Sequence, residues 1–205
     1  MAIEFGNSRT KENLMRAFAG ESQARNRYTI AADKAKKQGM FAISEIFKFT
    51  ANEEKAHAER FYDLLKSESG TTIHIDGGYP VDNSDSLTEL LRAARHNEME
   101  EFENVYPVFA KTAREEGFAE IAAAFQQIAQ IEAVHGKRFE SLAELLGNNR
   151  LYESDGKQAW LCLHCGHIYF GKQVPALCPV CRHERGHFIP VSLAPYTEKG
   201  FYAAV

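Results

Sequence analysis

The chain has 205 residues, a formal charge of −4 and 44% hydrophobic residues, enough to bury a sizeable core in one domain or two. Basic and acidic residues are mixed along its length, so nothing electrostatic supports a nucleic-acid or anionic-membrane partner. The opening MAIEFGNSRTKENLMRAF lacks a signal-peptide pattern and no apolar run reaches roughly 18 residues, so a soluble cytoplasmic protein is expected.

Gly39, Gly117 and Gly147 each follow a long helical pattern, where a helix end wants a left-handed residue. They divide the front of the chain into four predicted helices at 8–38, 40–67, 84–116 and 118–146. Between the second and third lies SESGTTIHIDGGYPVDNS, too long for a tight turn and suited to the single long crossover of an all-α four-helix bundle. Ser84 or Asp85 is the expected N-cap of the third helix, and Pro107 should kink that helix or mark a π-bulge.

Each helix carries a seam of apolar residues at three- and four-residue spacing, interrupted only near its middle. The first interruption is Glu21, in the seam Leu14, Ala17, Glu21, Ala24, Tyr28. The second is Glu54 with His57, and the third, in Leu91, Ala94, Glu98, Glu101, Val105, Val108, is a pair of glutamates. The fourth is Glu132 with His135. The two halves repeat: 33 residues separate Glu21 from Glu54, 34 separate Glu98 from Glu132, and Glu-x-x-His occurs once in each. Measured from Gly39 or Gly117 the seven residues lie at depths agreeing within about one helical turn, or ~5 Å. Glu101 alone has no counterpart, since Ala24 stands at the matching position.

Five carboxylates in an apolar seam cannot all stay ionised unaided, because burying one unpaired charge costs several kcal/mol. Two divalent cations nearly balance them, and Glu and His three residues apart project from one helix face toward adjacent metals. A glutamate from each of two helices and Glu-x-x-His from the other two is the general two-metal template of ferritin-like carboxylate proteins. Tyr28 and Tyr106 lie near enough to hydrogen-bond a ligand carboxylate, or to serve as ordinary core tyrosines.

All four cysteines fall in the last fifth of the chain, as Cys162-x-x-Cys165 and Cys178-x-x-Cys181, which sets apart a small β domain. The expected organisation is a bundle over 1–147, a linker over 148–157, a metal-knuckle domain over 158–192 and a tail over 193–205. Two knuckles supply four thiolates for one tetrahedral metal, although two disulfides would satisfy the same cysteines. Spacing leaves the metal open: zinc would make a structural ribbon, iron a one-electron carrier. A redox-active site in the same chain favours iron, with zinc a possible substitute.

The stretches AFAGESQARNRY, EEKAHAERF, YPVFAKTAREEGF and IEAVHGKRF, with LCLHCGHIYFG and LCPVC, resemble the rubrerythrins over nearly all of residues 8–190. That resemblance implies a ferritin-like di-iron bundle followed by a rubredoxin-like domain. It implies Glu54 and Glu132 as bridging ligands, Glu21 and Glu98 as terminal ones, and His135 on one iron. The other iron would exchange His57 for Glu101 as its oxidation state changes. The implied activity is reduction of hydrogen peroxide, with electrons from an external donor entering at the cysteine site, in a head-to-tail homodimer. The rival readings are a ferroxidase or iron-handling protein using the same bundle, and a non-enzymatic protein with a structural zinc ribbon.

Overall fold

The computed structural model describes residues 3–194; most of the 193–205 tail lies outside them. Helix α1 spans Arg9–Lys37 and starts at Ser8, whose side chain accepts from the Lys11 amide. It ends in a Schellman motif: Gly39 takes φ +74°, and the Met40 and Gly39 amides reach back to Ala35 and Lys36. Helix α2 spans Phe41–Leu64, short of the expected residue 67, because the chain tightens there into a 3₁₀ turn over Lys66–Glu68. Gly117 closes the third bundle helix in the same way as Gly39. At the end of α5 (Ala119–Gly147) the glycine expectation fails. Gly147 is the last helical residue, and Asn149, at φ +56°, takes the left-handed position with the same pair of hydrogen bonds.

The third bundle helix consists of α3 (Leu87–Glu100), a π-helical turn (Glu101–Val105) and α4 (Tyr106–Glu115). Its cap is Ser86, which accepts from the Glu89 amide, while Ser84 is engaged by the Glu89 carboxylate and Asp85 by Lys34. Pro107 has no amide hydrogen to return to residue 103, and the ladder widens just before it, with the Tyr106 amide bonded to the Glu101 carbonyl. One extra residue is thereby absorbed. Seven residues separate Glu21 from Tyr28 in the first half, but eight separate Glu98 from Tyr106 in the second. The seam changes phase accordingly: Tyr106, Ala110 and Ala113 are buried, whereas Val108, expected in the seam, is 59% exposed.

The helices form a four-helix ferritin-like bundle of two hairpins, α1 with α2 and α3–α4 with α5, joined by the crossover over 65–86. Two apolar clusters fill it. One around Phe47, Leu91 and Phe139 lies toward the Gly39 turn, the other around Phe61, Tyr106 and Phe125 toward the Gly117 turn. The polar site lies between them. At the Gly117 end the Glu116 carboxylate accepts the backbone amides of Arg9 and Thr10 at 3.0 and 2.8 Å, capping α1 from another helix. Burial is the largest single influence on the Glu116 carboxyl and acts upward, but the hydrogen bonds from Thr10 and Arg9 together outweigh it and hold the pKa below its ordinary range. Its stabilisation is therefore present above about pH 4.5 and is lost as pH falls through the lowered value. Glu116→Ala should cost about 1 kcal/mol at neutral pH and less at pH 3, readable from denaturant melts at both.

Beyond α5 the chain forms a three-stranded antiparallel sheet in the order β2–β1–β3, from β1 (Glu153–Cys162), β2 (Ile168–Gln173) and β3 (Phe188–Pro190). Strand β1 begins inside the interval 148–157, so only a few residues separate helix from sheet. This small domain sits on the Gly39 end of the bundle. Leu151 and Ile189 join the bundle's core cluster, His187 stacks on Phe41 at 4.2 Å, and the Tyr152 hydroxyl meets Met40 Sδ at 3.1 Å. Contact is closest at Gly186, where a Cβ would lie 1.8 Å from the Gly39 carbonyl oxygen.

Candidate metal centres

Six of the seven bundle residues meet between the two apolar clusters, as two quartets. Glu21, Glu54, His57 and Glu132 form one, and Glu54, Glu98, Glu132 and His135 the other. Within each, one ligand atom per residue lies within 4.8 Å of all the others. Glu54 and Glu132 belong to both quartets, which is the geometry of carboxylates that bridge two ions. All six residues are buried. The two imidazoles lie nearly parallel, 5.7 Å apart, and each turns Nδ1 inward.

The electrostatics show what the site lacks. Burial, and then the neighbouring carboxylates, push Glu21, Glu98 and Glu101 well above the ordinary glutamate range. Burial also acts on Glu54, but close contacts with His135 and His57 outweigh it and hold that carboxyl at about 2. His57 goes up to about 12, because contacts with Glu132, Glu21 and Glu54 overcome burial, and His135 rises for similar reasons. Yet two imidazoles do not satisfy this many acceptors. Glu21 Oε2, Glu54 Oε1, Glu98 Oε2 and both Glu132 oxygens are buried without a hydrogen-bond partner. Inward-facing oxygens with no donor, shared between two quartets, fit a pair of divalent cations.

Both tyrosines engage the site, each across the bundle. Tyr28 on α1 donates to Glu98, and Tyr106 on α4 donates to Glu21. The π-turn makes this exchange symmetric, since without its extra residue Val105 would occupy the Tyr106 position. Burial and the adjacent carboxylates raise both hydroxyls well above the usual tyrosine range, so both stay protonated donors.

Glu101 stands outside both quartets. It is half-buried, with Oε1 3.9 Å from where a Cβ on Gly20 would sit, and it lines a cavity of about 250 Å³. Gly20 and Tyr106 form part of the inner wall, and the crossover segment Gly77–Pro80 covers the outside. That segment is tied down on either side by Arg16–Asp76 and Arg27–Asp82 ion pairs, each 2.7 Å. The π-turn, beginning at Glu101, thus coincides with the one asymmetric carboxylate.

Sequence reasoning missed Glu53. Its carboxylate lies 3.2 Å from His135 Nε2, the nitrogen facing away from the quartet, and accepts from Arg138 at 2.6 Å. The available signal was a glutamate preceding Glu54 and an arginine three residues after His135, both off the apolar seams.

In the small domain all four sulfurs lie within 4.8 Å of one another. Cys162–Cys181 and Cys165–Cys178 are 3.9 and 3.8 Å apart, too far for disulfides and close to the ~3.8 Å edge of a tetrahedron with metal–sulfur bonds of about 2.3 Å. The knuckles match: the amides of Gly166 and Arg182 donate to the carbonyls of Cys162 and Cys178, and both residues are left-handed, at φ +77° and +62°. Burial pushes the Cys162 thiol up to about 12. At Cys178 backbone amides of Cys181 and Val180 outweigh burial and bring it down to about 7. His164 and His183 stack on each other at 3.5 Å, and neither joins the four-sulfur set.

Comparison with known proteins gives the same two parts. Residues 12–143 match the rubrerythrin family profile, and residues 160–189 match that of the rubrerythrin rubredoxin-like domain. The chain is 45% identical to rubrerythrin-1 of Clostridium acetobutylicum, over 88% of this chain and 93% of that one. It is 44% identical to the rubrerythrin of Porphyromonas gingivalis, over 90% of each. Among solved structures, fully reduced, all-ferrous nigerythrin aligns over 90% of both chains with a TM-score of 0.60 at 28% identity. The bacterioferritin of Mycobacterium tuberculosis aligns over 73% of this chain and 91% of that one with a TM-score of 0.62, and at 19% identity it shows the fold alone.

Proposed function

The chain belongs to the rubrerythrin family, with a carboxylate–histidine two-metal site and a four-cysteine metal site, and on that premise we propose that it is a non-haem di-iron peroxidase. The reaction consumes hydrogen peroxide, two protons and two electrons and yields two waters. The observation that carries this reading is the pair of quartets sharing Glu54 and Glu132 in a chain that also brings four thiols to one point. Bound iron would supply the chemistry, the paired ions delivering two electrons together and the tetrathiolate iron refilling them one at a time.

The protein's own residues do the rest. Glu54 and Glu132 would hold both ions, Glu21 with His57 would complete the ligands of one, and Glu98 with His135 those of the other. Tyr106 and Tyr28, protonated and bonded to Glu21 and Glu98, fix the terminal carboxylates from the far helix. Glu101 lines the cavity, and in this reading it would replace His57 when the oxidation state changes. The cavity is the approach route in this reading, roomy enough for a small molecule and bounded on one side by the crossover segment. Gly20→Ala should leave peroxide turnover near its original value, because the added methyl meets only Glu101 at ordinary contact distance. Gly20→Leu should fill the passage and lower kcat/KM for peroxide about tenfold, a barrier change of about 1.4 kcal/mol, with both bundle metals retained. Steady-state kinetics alongside metal analysis would check both.

Electron supply implies a second copy of the chain. The cysteine site sits at the Gly39 end, whereas Glu54, His57 and Glu21 lie 15 to 18 residues from Gly39, roughly 23–27 Å along the helices. A head-to-tail homodimer would bring one chain's cysteine site beside its partner's quartets, and an external reductase or rubredoxin-type protein would feed it. Metal–metal separations in a crystal structure test this arrangement, and a shorter path within one chain would sink it. The activity is tested by anaerobic reduction followed by mixing with oxidant. Peroxide should reoxidise the metals much faster than dioxygen does; equal rates would turn the reading toward a ferroxidase.

A further inference from the structure

The two histidines occupy matching places in the repeat, yet the protein holds them unequally. A shift of 78 residues carries Glu54 onto Glu132, His57 onto His135, Arg60 onto Arg138 and Phe61 onto Phe139. It carries Glu53 onto Ile131. The pattern is kept at every one of these positions except that one.

Around His135 the consequence is visible. Nδ1 faces the quartet, 3.0 Å from Glu54 and 2.9 Å from Glu132, and on the opposite edge Nε2 faces Glu53 at 3.2 Å. Glu53 is itself held: Arg138 donates to the same carboxylate oxygen at 2.6 Å and to Thr50 Oγ1 at 2.7 Å, with its guanidinium over the Phe49 ring. Both imidazole nitrogens thus face carboxylates, at ion-pair distance rather than in aligned hydrogen bonds, and Glu53 is tied to Thr50 through Arg138. His57 makes its contacts with Glu21, Glu54 and Glu132 through Nδ1 alone. Among the described residues no other carboxylate oxygen forms an ion pair with either of its ring nitrogens. Arg60 has no carboxylate at the Glu53-equivalent position and turns outward to Glu120.

We propose that Glu53, held by Arg138, is a positioning residue that fixes His135 on its metal, and that Ile131 at the matching place leaves His57 free to give way to Glu101. A carboxylate on the outer nitrogen of a ligating histidine fixes the ring's tautomer and orientation and strengthens it as a ligand. An isoleucine can do neither. Glu101 stands beside Gly20, next to Glu21, and so on the side of the His57 quartet. The incoming carboxylate and the unanchored histidine therefore belong to the same half. This inference rests on the proposed exchange of His57 for Glu101, and it explains why the exchange occurs in one half of a repeated site.

Ile131 is 39% exposed, so Ile131→Glu should be tolerated, and Arg60 is available to hold the new carboxylate as Arg138 holds Glu53. Crystal structures of the iron-loaded protein, oxidised and dithionite-reduced, should show His57 leaving its metal in one state in the unaltered chain and in Ile131→Leu. In Ile131→Glu it should stay bound in both states. Glu53→Gln should weaken one of the two bundle metals by about 10- to 100-fold in chelator competition with zinc, leaving the other unchanged, and Glu53→Asp should recover part of that loss. Continued departure of His57 in Ile131→Glu, or unaltered zinc affinity in Glu53→Gln, would overturn the proposal. If the unaltered protein keeps His57 bound in both states, the exchange reading itself fails, and the zinc competition still decides whether Glu53 anchors His135.

Discussion

Glu132→Ala should empty both halves of the bundle site at once, whereas Glu21→Ala should weaken only one. Glu132 is fully buried, belongs to both quartets and has neither oxygen satisfied by a hydrogen bond. Removing it takes a ligand from two ions, so each should bind more weakly by more than the ~10–100-fold that loss of a supporting partner costs. Metal analysis after desalting should give fewer than one bundle metal per chain for Glu132→Ala and about one for Glu21→Ala. Without metal Glu132→Ala should also be the more damaging change, because Glu132 faces His57 and His135 at 3.0 and 2.9 Å and its removal deprives two buried imidazoles of a counter-charge while the other carboxylates stay unbalanced. Two full metals in Glu132→Ala would exclude a shared bridging ligand.

The same imbalance sets the pH behaviour after metal removal. Glu21, Glu98 and Glu101 have raised pKa values in the fold, chiefly through burial and then through one another. A group whose folded value is raised stabilises fully below its unfolded value, near 4.5 here, and that contribution is lost as pH rises through the folded value. His57 adds to the trend, its contribution present below about 6.5 and fading toward about 12. Glu54 runs the other way, its contribution present above about 4.5 and lost as pH falls toward about 2. The metal-free protein should therefore lose melting temperature steadily from weakly acidic to alkaline pH, and metal loading should flatten that slope. Loading should also release protons, which an indicator dye in weak buffer would register.

How much of this was legible in the sequence differs from residue to residue, for physical reasons. Helix periodicity is local, so the seams and their polar interruptions could be read directly, and they put seven residues at one level, six of which the fold brings together. The four cysteines were legible because two knuckles of fixed spacing have few other uses. The π-turn could be anticipated from Pro107, but not its effect: one extra residue rotates everything after it, so Val108 turns outward and Tyr106 turns in. Glu53 was invisible for the opposite reason. Its role depends on Arg138, 85 residues away and on another helix, and no periodicity relates the two. The helix end at Asn149 escaped because Gly147 offered the stronger local signal.

Converting Cys162 and Cys165 to serine should unfold the small domain while leaving the bundle metals in place. The domain's buried cluster holds only Trp160, Val174 and Phe188 beside Cys162 and Cys178. That apolar core is too small to hold three strands and two knuckles by itself, and a tetrathiolate metal adds stabilisation that the unfolded chain lacks. Trp160 is the chain's single tryptophan and is fully buried, so its fluorescence should shift to that of a solvated indole when the metal is lost. The bundle quartets share no residue with the domain and should keep both ions. Turnover with an external donor should then fall to near background, while a single reoxidation of chemically reduced bundle metals by peroxide should proceed at its original rate. That split would separate electron supply from peroxide chemistry, and equal loss of both would mean that docking at Gly39 and Met40 also shapes the bundle site.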